Sequence, residues 1–581
     1  MLAPCGGLLR WAPLCLVLLA CAGSRLSPVA PALGLGLKYR LQVSSDAVHV
    51  EVEVRGKAGE RLSFQVPDSL GAGRGFRIVS DVGARDGAGR PLAVSSPDAH
   101  HWECQMPREG TLWLSYRVRT DVEAHGLSPH EPGAGEMPKH DEDHVFLLGS
   151  LVLLAPAESA RVQGPIPVEW QVPPGWQVLT PFGGEAPGLN TLLDNYLSAG
   201  KFSRATLEVP GGMTLEVAWF GEGDVARSPL PDVLPRVLGG AVGLMGGRAP
   251  VARYVVLLRP DYPSGMTQGT PREGSIQIHT PREVPLERVH QGALLSTLAH
   301  EYLHTWGREP GAELRVSSEP EPGGEMRWFI EGFVHYLAEL ALLESGTQAL
   351  PAFLSTLGRA YASVSRNPLY GQESLAQASA RFFDAPAARE FSYSGGMVVA
   401  FLCDLELRSR GQGTLARFLD QVPPGRLPVA WSPWLAAWTR HSGSPEPVAT
   451  WVRTAAPLPF MDWVSRAGGE VRERERWVFD VGFEVRPEGL TVASLGPLVG
   501  AQGLVRGDVV LSVGGRAVSS AEAFLQELDP TGRPVTVQLR RGSELLELRL
   551  HRASRKEYEV SASENSVLRR WIPGYSHPGG G

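Results

Sequence analysis

The sequence predicts a multidomain α+β protein in which a β-sandwich-like domain precedes a helix-rich domain and a second β-rich module. Three observations predict this. The chain has 581 residues, which is more than one hydrophobic core usually organises. Apolar and polar residues alternate early in the chain and again towards its end, as they do in half-buried strands. Between these two regions apolar residues recur at helical spacing.

The first region is predicted to form the β-sandwich-like domain. Apolar and polar residues alternate over residues 39–43 and 48–54, where β-branched residues are frequent. Further strand-like runs follow at residues 61–66, 111–118 and 144–154. Alternation with period two is typical of strands that bury one face. We therefore expect these strands to stack as a sandwich.

The middle of the chain is predicted to be mainly helical. A strand at residues 252–258 precedes three predicted helices at residues 291–306, 325–343 and 393–410. In the first of them the apolar residues form a stripe along one helical face. A strand followed by long helices is typical of an α+β domain.

Composition and charge exclude several classes of protein. The chain is 43% hydrophobic and 20% charged, with a net charge of −7 and no long basic run, so nucleic acid is not an expected partner. Three of the five cysteines, Cys5, Cys15 and Cys21, lie near the start of the chain. The remaining pair, Cys104 and Cys403, is too few for a disulfide framework or a cysteine metal site.

The start of the chain is predicted to be a targeting segment. Arg10 precedes a short apolar run at residues 11–20, which is too short to cross a bilayer. Leu18-Leu19-Ala20-Cys21 then indicates a lipoprotein cleavage box, with a lipid anchor on Cys21. The alternative is an ordinary secretory signal that is cut close by. Both predict export, and the first predicts anchoring at a membrane of the bacterial cell envelope, facing the periplasm or the exterior.

His300-Glu301-Tyr302-Leu303-His304 is an HExxH motif. On a helix, positions i and i+4 share a face, so His300 and His304 can reach one ion. Zn²⁺ suits neutral imidazole, and a catalytic zinc site uses three protein ligands plus water. Glu301 lies close enough to act as the general base towards that water. A chance occurrence of the motif would be only a solvated helical face.

The third ligand is expected to be acidic and to lie on a following helix. Glu331, within Trp328-Phe329-Ile330-Glu331-Gly332, meets this demand. The interval after His304 is long enough for a loop and the return of an antiparallel helix. The sequence therefore predicts a zinc site formed by His300, His304 and Glu331.

Several segments resemble the glycyl aminopeptidase family of gluzincin metallopeptidases. The HExxH helix, continued by Thr305-Trp306, is similar to the HExFHxW helix of the family, and the Trp328–Gly332 segment to its third-ligand helix. Residues 192–202 (LLDNYLSAGKF) resemble the end of its N-terminal domain. Tyr393-Ser394-Gly395-Gly396, with residues 402–408 after it, resembles its YxKG and LDLxLR segments.

The resemblance implies an N-terminal β-domain, a thermolysin-like catalytic domain and often a PDZ domain. It also implies that Tyr393 is the phenol that hydrogen-bonds the oxyanion of the tetrahedral intermediate. A neutral donor at this place stabilises charge that develops only in the transition state. The alternative for Tyr393 is a core tyrosine at the start of a helix.

Two positions depart from the family. Its Gly-Gly-Leu-Glu-His type segment, whose Glu binds the free α-amine of the substrate, corresponds here to Ser264-Gly265-Met266-Thr267-Gln268. Gly265, Met266 and Thr267 are therefore the candidate substrate-binding residues, but the uncharged Thr267 cannot pair with an ammonium group. The Lys of YxKG is Gly395. We expect hydrolysis with relaxed or altered specificity for the N-terminus.

The last region resembles a PDZ domain. Residues 503–515 (GLVRGDVVLSVGG) are similar to its central strand and turn, and Ser519-Ser520-Ala521-Glu522 indicates a capping box that opens a helix. Val481, Gly482 and Phe483 correspond to the carboxylate-binding loop, whose backbone N–H groups hold the C-terminus of a peptide ligand. The alternative is a PDZ fold that only packs against the catalytic domain.

These observations predict six segments. They are a lipoprotein-type signal peptide (residues 1–20), a tether (21–37), the β-domain (38–202), the thermolysin-like catalytic domain (203–465), the PDZ domain (471–552) and a flexible tail (553–581). The charged residues 470–476 are expected to be a linker. The predicted function is zinc-dependent hydrolysis of peptides or proteins. The alternative is an envelope-anchored PDZ scaffold with a weak or vestigial protease domain.

Overall fold

A computed structural model describes most of the chain. It covers residues 34–44, 47–66, 78–98, 100–120, 134–262, 267–291, 293–307, 324–420, 431–479, 481–495, 502–563 and 566–571. The predicted signal peptide and the lipid anchor on Cys21 lie outside the described residues, as do Gly265 and Met266. Among the helices described, none is both long and apolar enough to span a bilayer.

The N-terminal region is rich in β-structure, as the alternation predicts. Its strands and short helices are β1 (Gly36–Val43), β2 (Val48–Arg55), β3 (Arg61–Gln65), β4 (Val79–Asp86), β5 (Pro91–Leu92), β6 (Val94–Ser95), β7 (His101–Gln105), β8 (Thr111–Val118), β9 (Lys139–His140), β10 (His144–Leu148), α1 (Gly149–Val152), β11 (Ala155–Pro156), β12 (Ile166–Gln171), β13 (Gln177–Leu179), β14 (Glu185–Ala186), α2 (Leu189–Leu193) and β15 (Tyr196–Gly200). They form three sheets, ordered β14-β12-β1-β2-β8-β4-β5, β13-β15-β10-β9 and β11-β3-β7-β6. In β1 every second residue is buried, which is the period-two pattern of a half-buried strand.

The central region places helices on a five-stranded sheet. The strands are β16 (Ser203–Val209), β17 (Met213–Trp219), β18 (Arg253–Tyr262), β19 (Gln268–Pro271) and β20 (Ser275–Pro281). Their order is β16-β17-β18-β20-β19, so β19 is an edge strand. One face of β17 and β18 belongs to the N-terminal core and the other to the helical core. Burial on both faces explains why these strands are almost continuously apolar.

The helices of the central region form the largest core. They are α3 (Leu230–Leu244), α4 (Leu294–Leu303), α5 (Val334–Glu344), α6 (Leu350–Arg366), α7 (Leu375–Ser379), α8 (Pro386–Ser409), α9 (Leu415–Asp420), α10 (Trp431–Ser442), α11 (Val448–Arg453) and α12 (Phe460–Arg466). Short 3₁₀ turns occupy Val225–Arg227, Leu286–Gln291, His304–Gly307 and Gly324–Met326, and a π-helical turn occupies Trp328–Phe333. The prediction of one regular helix at 325–343 was therefore wrong in its first half.

Helix α8 begins earlier than the sequence predicted. Pro386 occupies its first turn, where the missing N–H costs no hydrogen bond. Tyr393 therefore lies two turns inside the helix rather than at its start. Since the phenol is carried by a long helix, its position depends on how α8 packs.

The C-terminal region contains a six-stranded sheet and one helix. Its elements are β21 (Gly469–Val478), β22 (Val481–Arg486), β23 (Gly489–Leu495), β24 (Val509–Val513), β25 (Arg516–Ala517), α13 (Ala521–Glu527), β26 (Val535–Arg541), β27 (Glu544–Leu550) and β28 (Ala553–Ala562). The sheet is ordered β22-β23-β24-β26-β27, with β25 paired to β24. Ser520 caps α13 by accepting a hydrogen bond from the Ala523 N–H at 3.1 Å. The capping box predicted at residues 519–522 requires Ser519 at the cap, so that prediction was one residue too early.

Two predictions in this region were wrong. The supposed linker at 470–476 lies in β21, and the first ten residues of the supposed flexible tail form β28. The two strands pair antiparallel along their whole length. Opposite charges meet across the pair, with Lys556 Nζ 2.7 Å from Glu473 Oε1 and Arg474 Nη1 2.8 Å from Glu559 Oε1. The alternating charges that suggested a solvated linker are the exposed face of this ribbon.

Val481, Gly482 and Phe483 lie on β22 and pair with β23, with a register shift between the last two residues. The prediction that these residues form a loop was therefore wrong. Alternating apolar residues favour a strand here, and the Phe483 ring lies 4.7 Å from that of Phe524 on α13. Binding of a carboxylate by these residues remains a prediction.

Candidate active site

Helix α4 and the turn after it carry the HExxH motif. His300 and Glu301 lie in the last turn of α4, and His304 opens the 3₁₀ turn that follows. The Nε2 atoms of His300 and His304 are 3.1 Å apart. The helical spacing thus brings both imidazoles to one point, as the sequence predicts.

Glu331 reaches the same point from the π-helical turn. Its Oε2 lies 3.4 Å from His300 Nε2 and 3.5 Å from His304 Nε2. A tetrahedral zinc site with bonds of about 2.0–2.1 Å has ligand atoms roughly 3.3 Å apart. The three measured separations match this spacing. The donor set of two imidazoles and one carboxylate therefore fits Zn²⁺.

The Glu301 carboxylate belongs to the same cluster. One ligand atom from each of His300, Glu301 and His304 lies within 4.8 Å of the others. In the part of the chain that the structure describes, no other group of three or more His, Cys, Asp or Glu side chains meets this criterion. Glu301 therefore lies close enough to act on a water molecule bound beside the two imidazoles.

Glu331 is nearly buried, with 8% of its surface exposed. Burial alone would raise the pKa of its carboxyl, but the hydrogen bonds and charges of His300 and His304 outweigh that effect and hold the pKa well below its usual range. The carboxylate is thus ionised, as a metal ligand must be.

Arg327 contacts the other oxygen of the same carboxylate. Its Nη1 donates to Glu331 Oε1 at 3.3 Å, while the guanidinium lies over the rings of Phe382 and Phe383 at 5.4 and 4.8 Å. This contact leaves Oε2 directed at the imidazoles. Arg327 was not predicted as a site residue, although its i,i+4 spacing from Glu331 was the available signal.

A close approach of two glycines positions the π-helical turn. Gly332 lies against Gly396 on α8, and a Cβ atom on Gly396 would overlap the carbonyl oxygen of Trp328 and lie 2.9 Å from the Gly332 Cα. Only glycine allows the backbones to come this near. The same helix α8 carries Tyr393, so this contact sets the spacing between Glu331 and the phenol.

Tyr393 lies beside the cluster, with its ring 6.0 Å from that of His300. Burial and, next, the charges of Glu331 and Glu301 raise the pKa of the phenol well above its usual range. The hydroxyl therefore remains a neutral hydrogen-bond donor at physiological pH. This is the protonation state that its predicted role requires.

The imidazole ring of His335 lies beside that of His300. Its ring lies 5.7 Å from that of His300, and burial lowers the pKa of His335 to about 3, with the charges of His300 and Arg359 acting against the protonated form. The imidazole is neutral. His300 Nδ1 is buried and has no hydrogen-bond partner among the described residues, so His335 does not orient it by a direct bond.

Edge strand β19 and the residue before it form part of the cavity wall. Thr267, Gln268 and Gly269 line the same cavity as His300 and Glu301. Gly269 packs directly on the candidate base, because a Cβ atom there would lie 2.6 Å from Glu301 Cγ. Gly269 was not predicted as a site residue, since nothing in the local sequence relates it to α4. Thr267 reaches the cavity, whereas Gly265 and Met266 lie outside the described residues.

Two family models match the chain. Residues 38–196 match the peptidase M61 N-terminal domain, and residues 293–397 match the M61 glycyl aminopeptidase. The second segment contains the clustered side chains and the phenol, namely His300, Glu301, His304, Glu331 and Tyr393. No curated protein sequence matches the chain.

Solved structures share the fold. An aminopeptidase N family protein from Idiomarina loihiensis is 18% identical, with a TM-score of 0.68, and the alignment covers 92% of this chain and all of that one. An M1 zinc metallopeptidase from Deinococcus radiodurans, also 18% identical, covers 74% of this chain and 96% of its own, with a TM-score of only 0.45. The first likeness shows a common multidomain α+β fold, and the matches to the family models support a peptidase.

Proposed function

We propose that the protein is a zinc-dependent peptidase that hydrolyses peptide bonds with a metal-activated water. The single observation that carries the proposal is the convergence of His300 Nε2, His304 Nε2 and Glu331 Oε2 to within 3.5 Å of one another. These separations suit a tetrahedral ion, and Glu301 and Tyr393 flank the same point. The matches to the M61 peptidase models support this assignment.

Each residue has a role that its chemistry allows. His300, His304 and Glu331 would hold the metal, which when bound would polarise the substrate carbonyl and lower the pKa of a water molecule. Glu301 takes the proton of the attacking water and passes it to the leaving amine nitrogen. The Tyr393 hydroxyl donates to the carbonyl oxygen as negative charge develops there. Arg327 keeps the Glu331 carboxylate turned towards the imidazoles.

The proposed specificity is aminopeptidase-like but relaxed. Thr267 lines the cavity where a carboxylate would be needed to pair with a free α-amine. Its hydroxyl can accept a hydrogen bond but supplies no charge. The edge strand β19 can still offer backbone groups to an extended substrate. A free N-terminus is therefore not strictly required for cleavage.

The test compares Glu301→Gln and Tyr393→Phe with the parent on a peptide library that has free and acetylated N-termini. Glu325→Gln is a matched control, because Glu325 forms an ion pair with Arg453 outside the catalytic cluster. We expect Glu301→Gln to abolish hydrolysis while zinc content, measured by mass spectrometry, is retained. Tyr393→Phe should lower kcat by about 100-fold or more.

Two results would overturn the proposal. One is equal hydrolysis by the parent and Glu301→Gln, and the other is a zinc-loaded parent that cleaves no peptide in the library. A strong preference for unblocked peptides would contradict only the specificity. That outcome would show that another group supplies the charge that Thr267 lacks.

The C-terminal module supports a second role, which we propose as PDZ-like binding of a peptide C-terminus. Strand β22 is an edge of its sheet, and Phe483 on that strand packs against Phe524 on α13. An extended peptide could add to β22 beside this helix. If the catalytic variants behave like the parent, binding of C-terminal peptides to this module becomes the primary function, and the protein is then a scaffold.

The proposed location is the bacterial cell envelope, through a lipid on Cys21. The sequence Leu18-Leu19-Ala20-Cys21 supports it. Replacement of Cys21 by Ser should move the protein from the membrane fraction to the soluble exported fraction. Unchanged membrane association would contradict the lipid anchor.

A further inference from the structure

We propose that the cavity beside the catalytic cluster binds a carboxylate group of the substrate through Arg359. The inference rests on the proposed peptidase function and adds a substrate class to it. The cavity has a volume of about 1190 Å³ and extends from Glu301 and Tyr393 to Arg359 on α6. Ligand sites usually measure roughly 300–1,000 Å³, so this one can take more than one residue of a peptide.

The cavity wall away from the cluster has a polar and an apolar part. The polar part includes Ser296, Thr297, Glu339, Gln348, Thr356 and Arg359, and the apolar part includes Val233, Leu295, Leu342 and Ala360. The polar part favours a substrate group that can form hydrogen bonds there, because polar groups that lose water need replacement partners.

Arg359 is an exposed charged group of the wall with donors to spare. Its Nη1 donates to Ser355 Oγ at 3.0 Å and its Nη2 to Thr356 Oγ1 at 2.8 Å. Both partners are neutral hydroxyls on the same helix, and among the described residues no carboxylate forms an ion pair with Arg359. A guanidinium has five N–H donors in a planar fork, so three remain. The two hydroxyls hold this fork without neutralising it.

Glu339, the opposite charge in the same wall, does not serve as the partner of Arg359. It is buried, and its Oε1 accepts from Ser296 Oγ at 2.6 Å while its Oε2 accepts from Gln348 Nε2 at 2.8 Å. A second arginine of the wall, Arg236 on α3, donates to the Ser345 carbonyl oxygen at 2.9 Å. Apart from the candidate catalytic groups, the exposed charged side chains that line the cavity are therefore positively charged.

A carboxylate matches this arrangement better than a neutral group does. The planar fork of arginine accepts the two oxygens of a carboxylate in parallel, and such charge-assisted bonds are about twice as strong as neutral ones. In a peptide the carboxylate comes either from the C-terminus or from an Asp or Glu side chain. The experiment separates these two sources.

The probes are four pentapeptides, Ala-Ala-Glu-Ala-Ala and Ala-Ala-Gln-Ala-Ala, each with a free or an amidated C-terminus. Values of kcat/KM are measured for the parent, Arg359→Gln, Arg359→Lys and the control Arg366→Gln. Arg366 is an exposed arginine of the same helix that does not line the cavity. Dissociation constants are measured in parallel in the zinc-loaded Glu301→Gln background, so that binding is read without hydrolysis.

We expect the parent to prefer one carboxylate source by about 3- to 10-fold in kcat/KM and in affinity, because the bidentate pair is strong but Arg359 is exposed to solvent. Arg359→Gln should reduce that preference to about twofold or less, Arg359→Lys should retain part of it, and Arg366→Gln should retain all of it. Equal values for all four peptides, or a preference that survives Arg359→Gln, would overturn the inference. Hydrolysis without preference refutes only the carboxylate site, whereas preferential binding without hydrolysis by the parent refutes only the peptidase.

Discussion

Gly269 packs against the candidate base, and replacing it by Ala is a direct test of how closely Glu301 is positioned. A Cβ atom at this position would lie 2.6 Å from Glu301 Cγ, 3.2 Å from Glu301 Cδ and 3.1 Å from Thr297 Cγ2. The Gly269 backbone has an ordinary conformation, so the added methyl group would act through this contact rather than through strain.

The size of the effect follows from the overlap. Ordinary contact begins at 3.4 Å, so the Glu301 side chain must move by about 0.8 Å. Catalytic groups are held to within about 0.5 Å of their working position, and a displacement of about 1 Å can cost roughly 100-fold in rate. We therefore expect Gly269→Ala to lower kcat by about 10- to 100-fold, with a smaller change in KM.

The assay combines steady-state kinetics on a cleavable peptide with zinc content and melting temperature. Gly83→Ala is the matched control, since Gly83 is a strand glycine whose added methyl would meet only Ser115 Oγ, at 3.7 Å. Zinc content should stay at the parent level, because the atoms nearest to the added methyl group belong to Glu301 and Thr297 rather than to the candidate ligands. Full kcat in Gly269→Ala would refute the idea that this contact positions the base, as would a loss of activity that merely follows loss of zinc.

Two further predictions concern the frame of the site. Gly396→Ala would place a methyl group against the Trp328 carbonyl oxygen. We expect the free energy of unfolding, measured by urea titration, to fall by about 3 kcal/mol or more. The control is Gly243→Ala, where no atom lies near the added methyl group and little change is expected. The pKa of the Asp261 carboxyl is lowered to about 2. Burial alone would raise this pKa, but the hydrogen bond from His279 and the nearby positive charges outweigh the effect of burial. In the unfolded chain the pKa of this carboxyl group is about 3.9. Because the pKa is lower in the folded state, the ionised carboxylate stabilises the fold above that pH, and this stabilisation is lost as the pH falls towards 2. Asp261→Asn should therefore cost roughly 2 kcal/mol near neutral pH, and the difference from the parent should shrink between about pH 4 and pH 2; a constant difference would contradict this.

Local spacing predicted part of the site well. The i,i+4 separation of His300 and His304 required only a helix, and α4 with the 3₁₀ turn that follows it provides the spacing. The strand β24 falls within the segment 503–515 that resembled a central strand and turn. The start of α13 was predicted to within one residue, because its signal is local: the cap is Ser520 rather than Ser519. Glu331 was found by its residue type and its interval from His304. Its π-helical turn was not predicted, since that geometry arises where Gly332 packs on Gly396.

Segments whose structure depends on pairing with residues far away in the chain were predicted wrongly. The charged residues 470–476 lack a hydrophobic face of their own and resembled a linker. They form a strand because β28, some eighty residues later, supplies complementary charges and backbone partners. Tyr558 of β28 also packs on Tyr361 of α6, with ring centroids 4.8 Å apart, which ties the ribbon to the helical core.

The sequence by itself determined which residues can carry the proposed chemistry: two imidazoles at helical spacing, an acidic candidate base between them and a later carboxylate. Residue types and short intervals are enough for that, because helix geometry relates them directly. Only the tertiary structure decided that Gly269 presses on Glu301, that Arg327 holds the far oxygen of Glu331 and that Arg359 faces the cavity. These contacts depend on how β19, α6 and α8 pack around α4, and packing is set by the shapes and volumes of residues far apart in the chain.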